Sequence, residues 1–373
     1  GISILSGERA FKLHDTYGFP IDITEEIFYE SGYDIDRDGF VAHMDEQKRM
    51  GRSDAAEVDA AWEDSPLSEF LEGKTLFTGY NKTEDRGEIL SVFRENVPLS
   101  SLKKGEKGKV VLDKTPFYAA GGGQESDIGL IQGDNFKAKV THVEGKQEII
   151  VHDVIVTEGE VLPGEKITGS VDVLHRNSSR RNHTATHLLH QALREVLGGH
   201  VQQSGSFLDD KGLRFDFSHF EAVNRKDLLE IENLVNKAID KFLPVNTEEM
   251  TLDEAKEKGA VGLFSDKYSS TVRVVSAGDY SMELCGGLHV DNTGQIGAFK
   301  ILGESGIASG IRRIEAITGG AVADRLREKE EVIRQGSAIL KTTEDMLISR
   351  LKSWIEENSA MKKELESFKS KAL

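Results

Sequence analysis

The amino-acid sequence predicts an α+β protein. A small β-barrel is followed by an α+β domain, with a helical piece before the barrel and a long helical tail at the end. Short β-branched runs separated by turn residues fill the region 74–173, helical and strand patterns alternate over 174–318, and residues 319–373 strongly favour helix. The predicted domains are therefore 1–73, 74–173, 174–318 and 319–373.

The predicted elements follow from hydrophobic periodicity and from turn residues. Helices are predicted at 23–29, 40–51, 184–197 and 225–242. Strands are predicted at 88–93, 108–112, 136–143, 148–156, 271–276 and 297–302. Gly198 and Gly199 are expected to end the third helix, and Pro244 the fourth. Short strands of this spacing with Gly-rich turns are typical of a small barrel.

The tail from 321 to 373 carries Leu, Ile, Val and Met at spacings of three and four residues. This pattern is typical of a helical pair or a coiled coil, although polar residues interrupt a strict heptad. We expect the tail to mediate self-association. The alternative is a solvated helix that lies on its own domain.

The composition indicates a folded protein with an excess of acidic residues. A chain of 373 residues is long enough for two or three packed domains. The 64 acidic residues exceed the 47 basic residues, which gives a formal net charge of −17. This charge argues against a general nucleic-acid binder, because affinity for phosphates depends on Lys and Arg. Any RNA contact is expected from local basic patches.

A cytoplasmic location is expected. Cys285 is the single cysteine, so an intrachain disulfide is excluded and a reducing compartment fits best. The apolar runs are far shorter than the about 20 residues of a membrane helix, so no membrane span is expected. The first residues show no secretion signal. The sequence does not begin with Met, which suggests that it is part of a longer chain.

Two motifs predict a metal site, H-T-A-T-H at 183–187 and C-G-G-L-H at 285–289. Residues four apart on a helix lie on one face, about 5–6 Å apart, so His183 and His187 can aim at one point. Cys285 and His289 add a thiolate and a third imidazole. The resulting four-ligand set is typical of zinc.

Chance is the alternative explanation of these motifs. With 11 histidines, about 0.3 H-x-x-x-H pairs are expected at random, and a His four residues after the single Cys has a probability of about 0.03, so the combination is disfavoured. A metalloprotease is also disfavoured, because its motif needs Glu where Thr184 stands. His190, on the same helix face, is interpreted as a packing residue or as a support for the ligands.

Two loops are candidate contacts for a ligand. Residues 202–206 offer amide and hydroxyl groups just after the predicted metal-binding helix. Residues 117–124 contain a Gly run where the backbone can approach a ligand or an RNA end. For each loop, a plain surface role is at least equally well supported.

Local basic clusters are candidate contacts for phosphates. One cluster precedes the predicted metal-binding helix, one lies in the barrel and one near the end of the α+β domain. The residues are Arg176, Arg180 and Arg181, then Lys103, Lys104, Lys107 and Lys109, and finally Arg312 and Arg313. A solvated face is the alternative for each cluster.

Five longer strings resemble the bacterial alanyl-tRNA synthetases and occur in that family's order. They are AFKLHDTYGFP at 10–20, RNHTATHLLH at 181–190, RFDFSH at 214–219, MELCGGLHV at 282–290 and GIRRIEA at 310–316. The resemblance covers nearly the whole chain. It implies that a domain that activates alanine with ATP and Mg²⁺ precedes this sequence and that a further domain follows it.

The resemblance also implies roles for individual regions and residues. Residues before about 75 match the end of the tRNA-recognition region, and 74–318 match the editing domain, which hydrolyses seryl- and glycyl-tRNA(Ala). Its zinc ligands match His183, His187, Cys285 and His289, with one Zn²⁺ per chain. Its editing-pocket positions match Thr186, Gln203 and Ser206. Two residues depart from the family pattern: Leu288 replaces a Thr, and Ala120 stands where an acidic or polar residue is common.

The implied reaction is attack of water on the ester that joins an amino acid to tRNA(Ala). Zinc either lowers the pKa of a bound water or, with four protein ligands closing its shell, shapes the pocket; the residues leave both open. Thr186 and Gln203 are predicted to bind the serine hydroxyl, which alanine lacks.

One alternative is a non-catalytic, zinc-stabilised module that binds tRNA and dimerises. A free-standing deacylase is less favoured, because residues 1–70 resemble a synthetase.

Overall fold

A computed structural model describes residues 74–371 except 96, 147 and 263–270, together with 3–7, 9, 28–29, 33–37 and 39–40. Most of the predicted amino-terminal helical piece lies outside the described residues, including nearly all of the helices predicted at 23–29 and 40–51. Two short strands are described there and pair in parallel. They are β1 (Ser3–Leu5) and β2 (Tyr33–Ile35).

The region from 76 to 171 consists of short antiparallel strands, apart from one parallel pair. The strands are β3 (Leu76–Phe77), β4 (Glu84–Arg94), β5 (Val97–Pro98), β6 (Leu102–Lys103), β7 (Lys107–Leu112), β8 (Lys114–Thr115), β9 (Gly129–Gln132), β10 (Lys137–Lys146), β11 (Ile149–Glu158), β12 (Glu160–Val161) and β13 (Lys166–Val171). Six of them follow one another in the order β13-β9-β10-β11-β7-β4, and β4 pairs with β13 to close the ring. The predicted barrel is therefore confirmed.

Alternation along the strands fills the barrel. Successive side chains of a strand point to opposite faces, so every second residue of β10 and β11 faces inward. Ala138, Val140, Val154 and Val156 are buried in the barrel interior. This apolar core fixes the position of the loop between β8 and β9, which matters for the site.

The region from 173 to 318 is a mixed α+β unit. Its helices are α1 (Val173–Leu197), α2 (Arg225–Asp240) and α3 (Leu252–Glu257). Its strands are β14 (Gln203–Leu208), β15 (Leu213–Ser218), β16 (Val245–Thr251), β17 (Thr271–Ala277), β18 (Ser281–Leu284), β19 (Phe299–Ala308) and β20 (Ile311–Thr318). They form two antiparallel sheets, β14-β15-β20-β19 and β16-β17-β18.

The larger sheet packs its apolar face against α1 and α2. Leu188 and Leu193 of α1, Phe215 of β15, and Ile231 and Val235 of α2 belong to one buried cluster. Because α1 is enclosed by this cluster on one side and by the barrel on another, the polar side chains on it are held in fixed positions.

Helix α1 begins 11 residues before its predicted start, at Val173 instead of Thr184. Asp172 caps it by accepting hydrogen bonds from the backbone of Leu174 and His175. The first turns bury the polar side chains Arg176, Ser179 and Asn182. A buried polar face gives no hydrophobic periodicity, which explains why the pattern missed it.

Helix α2 starts at the predicted residue and ends at Asp240, two residues before the predicted end. Phe242 adopts a φ of 52°, outside the helical range. The Asn292 side chain donates a hydrogen bond to the Phe242 carbonyl oxygen at 2.6 Å, just after the end of this helix. The helix therefore stops before Pro244 is reached.

Arg176 joins α1 to the barrel. It is 2% exposed and pairs with the buried carboxylate of Asp127. Its guanidinium also donates to the carbonyl oxygens of Gly79 at 3.1 Å and Lys82 at 2.9 Å. One side chain thus connects three segments, two of which belong to the barrel region.

Replacing Arg176 with Met is expected to lower the free energy of unfolding by about 3–5 kcal/mol, because the Asp127 carboxylate would stay buried without its partner. Chemical denaturation measures the loss. Arg327→Met is the control, since its ion pair with Asp324 is exposed and is worth no more than about 1 kcal/mol. Equal losses in the two variants would contradict the linking role of Arg176.

The predicted helical tail consists of two helices. They are α4 (Gly320–Ile339) and α5 (Leu347–Lys371). From Ile348 to Ser370 every residue is exposed except Asn358, which is half-buried. From Ile348 onward, the apolar residues of α5 are therefore not covered by the described part of the chain. Among the described residues, no helix is long and apolar enough to cross a membrane.

Candidate metal centre

Four potential metal ligands meet where α1 approaches the loop after β18. His183 and His187 lie one turn apart on α1, and Cys285 and His289 lie on the loop. One ligand atom from each residue lies within 4.8 Å of the others. The Cys285 Sγ atom is 3.4 Å from His183 Nε2 and 3.3 Å from His289 Nε2. The structure thus brings both predicted pairs to one point.

The Nδ1 atoms of His183 and His289 are hydrogen-bonded within the protein, which leaves their Nε2 atoms available to a metal. His183 Nδ1 lies 2.8 Å from the Gln124 Oε1 atom, which can only accept, so Nδ1 carries the proton. His289 Nδ1 lies 3.2 Å from Thr184 Oγ1, whose own hydrogen goes to the Arg180 carbonyl oxygen at 3.0 Å. His289 is therefore the donor in its bond. In their neutral forms, both rings therefore present an unprotonated Nε2, the form that binds a metal.

Glu283 lies behind the remaining histidine of the set. Its Oε2 atom is 3.7 Å from His187 Nδ1, and its Oε1 atom accepts a hydrogen bond from His190 Nδ1 at 3.0 Å. His190 is buried and bonds this carboxylate, which agrees with its interpretation as a supporting residue. A carboxylate behind a histidine is a common arrangement at metal sites, since it orients the ring and raises its basicity.

The electrostatics favour the ligand form at Cys285 and at His289 but not at His187. Burial by itself would raise the pKa of the Cys285 thiol, but the neighbouring imidazoles of His183 and His289 hold that pKa well below its usual value. Burial, followed by the charge of His183, lowers the pKa of His289 to about 3. A thiolate and a neutral imidazole are the forms that coordinate a metal. Burial by itself would lower the pKa of His187, but the charges of Glu283 and Cys285 raise it to about 9, so a metal that binds this ring must displace its proton. The donor set therefore fits a bound cation.

Arg273 holds the loop that carries Cys285. Its guanidinium donates to the carbonyl oxygens of Cys285 and Gly287, both at 2.8 Å, and its own carbonyl oxygen accepts from the Cys285 backbone at 3.0 Å. The Tyr80 ring lies 4.4 Å from the guanidinium, and its hydroxyl donates to the Gly286 carbonyl oxygen at 2.8 Å. The loop is thus fixed from β17 and from the barrel.

A polar cleft lies beside this loop, between the barrel and the smaller sheet. Its volume is about 550 Å³, within the range of ligand sites. Its walls include Tyr80, Lys82, Arg180, Arg273, Leu288 and His289. The cleft therefore reaches one of the four potential ligands.

Two family models match the sequence. The model described as "tRNA synthetases class II (A)" matches residues 2–174. The model described as "Threonyl and Alanyl tRNA synthetase second additional domain" matches residues 272–315, which include Cys285 and His289.

Curated relatives match the chain from end to end. The alanine–tRNA ligase of Clostridioides difficile (strain 630) is 46% identical over 375 residues, and that of Thermoanaerobacter sp. (strain X514) is 42% identical over 371 residues. The chain belongs to the alanyl-tRNA synthetase family. Each alignment covers 100% of the chain and 42% of the relative, so the chain spans about two fifths of the length of these synthetases.

The residues predicted to form an editing pocket lie on α1 and β14. Thr186 is buried on α1 between the two ligand histidines, and its hydroxyl donates to the His183 carbonyl oxygen at 2.6 Å. Gln203 and Ser206 are partly exposed on β14. A Cβ atom added to Gly123 would lie 2.8 Å from Ser206 Oγ, so the Gly-rich barrel loop closes against Ser206. In the described part of the chain, no hydrogen bond joins the three pocket side chains.

The five arginines proposed to contact tRNA take part in bonds within the protein. Arg176 is enclosed, as described above. Arg180 pairs with Asp291 at 2.9 Å and donates to the His289 carbonyl oxygen, and Arg181 donates to Ser178 at 2.7 Å.

The other two arginines of this set each hold a carboxylate with two hydrogen bonds. Arg312 pairs with Glu304, and Arg313 pairs with Asp216. Such forked pairs fix the side chains in place. Contact with tRNA stays a prediction for all five.

Sequence reasoning missed the residues that support the ligands. Gln124, Thr184, Glu283 and Arg273 are isolated polar residues without a motif spacing of their own. The strings 117–124, 181–190 and 282–290 contain three of them, yet no string indicated which atom would bond a ligand. Only the folded structure shows that Gln124, Thr184 and Glu283 each face a ligand imidazole and that Arg273 bonds the Cys285 loop.

Proposed function

We propose that this chain forms the editing part of an alanyl-tRNA synthetase and hydrolyses tRNA(Ala) that carries serine or glycine. The observation that carries the proposal is the convergence of His183, His187, Cys285 and His289 beside the buried Thr186. The family membership and the match to the second additional domain support it. Alanine activation with ATP and Mg²⁺ is proposed to take place elsewhere in the synthetase.

Zinc is the proposed metal. Three imidazole nitrogens and one thiolate suit Zn²⁺, whose structural sites are tetrahedral with N and S ligands. When bound, zinc supplies a positive charge that fixes the pocket and favours the developing negative charge at an ester carbonyl. The chain contributes three imidazoles, a thiolate and mostly buried surroundings, with His289 also reaching the polar cleft.

Discrimination against serine is proposed to rest on Thr186 and Gln203, with Ser206 completing the pocket. The Thr186 hydroxyl uses its hydrogen on the His183 carbonyl oxygen, so its lone pairs can accept a hydrogen bond from the serine side chain. Alanine and glycine have no side-chain hydroxyl to donate, so this contact selects the seryl ester alone. A site built around such a bond can separate seryl from alanyl esters by a large factor, because the alanyl ester leaves the polar groups of the pocket unpaired.

In the reaction, water adds to the ester carbonyl carbon and the bond to the ribose oxygen breaks. The products are the free amino acid and a tRNA with its terminal hydroxyl restored. The polar cleft beside His289 is a proposed path for the tRNA end, since Lys82 and Arg180 lie on its walls and cations attract phosphates.

The test compares the lifetimes of seryl-, glycyl- and alanyl-tRNA(Ala) with and without the zinc-loaded chain. We expect accelerated loss of the seryl and glycyl esters and an unchanged alanyl ester. Thr186→Val should lower kcat/KM for seryl-tRNA about tenfold or more, equivalent to about 1.4 kcal/mol. Unchanged ester lifetimes despite measurable tRNA binding would instead support a non-catalytic, zinc-stabilised binding module.

The tail is proposed to mediate self-association. Leu347, Leu351, Trp354, Met361, Leu365 and Phe368 follow alternating spacings of three and four residues, with Asn358 at the one polar position of the series. A stripe of this spacing is typical of a coiled-coil seam. From Leu351 onward these apolar residues are at least 40% exposed, which leaves the stripe open to a second copy of the chain.

Trp354→Glu combined with Leu365→Glu is therefore expected to shift the chain from dimer to monomer in sedimentation experiments, because the charges would be buried in the seam. Ser353→Glu combined with Ala360→Glu adds the same charge outside the stripe and should leave the dimer intact. A monomeric wild-type chain at high protein concentration would contradict the proposal.

A further inference from the structure

Gln124 reaches from the barrel into the candidate metal centre. It lies at the end of the Gly-rich loop between β8 and β9 and is 2% exposed. Its Oε1 atom accepts two hydrogen bonds, one from His183 Nδ1 at 2.8 Å and one from the Leu288 backbone at 2.9 Å. One atom of the barrel therefore contacts both halves of the ligand set, the α1 pair and the loop that carries Cys285 and His289.

The bond from Leu288 fixes the orientation of the amide. A backbone N–H can only donate, so the group that faces it must be the amide oxygen. The same oxygen faces His183, so the proton of that ring must lie on Nδ1. In the neutral ring, Nε2 then carries the lone pair and lies 3.4 Å from Cys285 Sγ.

The backbone around Gln124 is held on both sides. Gly121 and Gln124 exchange two backbone hydrogen bonds of 3.0 Å. Glu125 donates to the Leu208 carbonyl oxygen at 3.0 Å, and Leu208 donates to the Gly123 carbonyl oxygen at 2.8 Å, so the loop is attached to β14. A short loop tied in this way keeps the side chain in place without the metal.

We infer that Gln124 is a positioning residue through which the barrel completes the metal centre. Gln124 sets the tautomer of His183 and holds the Cys-Gly-Gly-Leu-His loop at the distance needed for four ligands to meet. Partners behind metal-bound histidines commonly change metal affinity by about 10–100-fold when they are removed. The inference rests on the part of the proposed function that assigns zinc to these four ligands.

The experiment measures zinc affinity in the full chain by competition with a chromophoric chelator. Gln124→Met removes the acceptor at similar length, and Gln124→Glu keeps an acceptor oxygen. We expect zinc to bind about 10–100-fold more weakly to the Met variant, with most of the affinity restored in the Glu variant. Gln132→Met, at an exposed position of β9, is the control and should bind zinc like the wild type.

The absorption spectrum of the Co²⁺-loaded chain gives a second readout, since it reports the ligand geometry independently of hydrolysis. We expect the spectrum to change in the Met variant and to be retained in the Glu variant. Wild-type zinc affinity in the Met variant would overturn the inference. It would also be overturned if the Met and Glu variants lost zinc affinity and thermal stability equally, because Gln124 would then have only a structural role.

Failure of the proposed function is distinguishable from failure of this inference. If the Met variant loses zinc affinity while the zinc-loaded wild type leaves seryl-tRNA(Ala) intact, the positioning role stands and the editing proposal fails. If the wild type hydrolyses the ester and the Met variant keeps full zinc affinity, the editing proposal stands and the positioning role fails.

Discussion

Replacing both Cys285 and His289 with Ala is expected to remove the bound metal and to abolish hydrolysis of seryl-tRNA(Ala). The change leaves only the two histidines of α1, and the thiolate is lost. The binding free energy of a four-ligand zinc site is about 10–16 kcal/mol near neutral pH, so a two-ligand remnant should not retain the ion under ordinary conditions. Metal analysis of the purified chain and the half-life of the ester measure the two effects.

A second pair of histidines provides the control for this double variant. His200 Nε2 lies 3.0 Å from His219 Nδ1, and neither residue belongs to the candidate centre. Replacing both with Ala removes the same number of side chains and should leave metal content and hydrolysis unchanged. Full hydrolytic activity in a metal-free Cys285→Ala, His289→Ala chain would refute a role for the metal in editing.

The sequence predicts the ligands better than it predicts what holds them. A helix brings residues four apart to one face, so the His183 and His187 pair follows from local geometry. The prediction that this helix meets the Cys285 loop rests instead on coordination chemistry, because the four N and S donors together form a ligand set that zinc prefers. No comparable rule selects Gln124, which is 59 residues from His183 along the chain.

The barrel was predictable for a related reason. Alternating apolar residues and regular turns are local signals, and the strand patterns at 136–143 and 148–156 correspond to β10 and β11. The early start of α1 was not predictable, since Arg176 and Asn182 find their partners on other segments. Polar burial of this kind is visible only after the chain has folded.

Gly287→Ala is expected to release the metal, although the change adds a single methyl group. A Cβ atom at this position would lie 2.0 Å from His183 Cε1, 2.4 Å from His183 Nδ1 and 2.9 Å from Gln124 Oε1. The imidazole cannot move away without losing its bond to Gln124 and its aim at Cys285. Overpacking of this kind commonly costs about 1–3 kcal/mol in stability, and here the displaced group is a ligand. Zinc affinity and the melting temperature of the zinc-loaded chain measure the loss.

The neighbouring glycine separates this steric effect from a general intolerance of the loop. A Cβ atom on Gly286 would meet nothing within 4 Å, and neither glycine has a φ in the left-handed range. Gly286→Ala should therefore retain zinc and hydrolytic activity, although it changes the same loop by the same group. If both variants kept the metal, the His183 imidazole could move away from the added methyl group and still bind zinc, which would contradict the prediction. If both lost it, the loop itself would require two glycines for its backbone, and the clash with His183 would not be the cause.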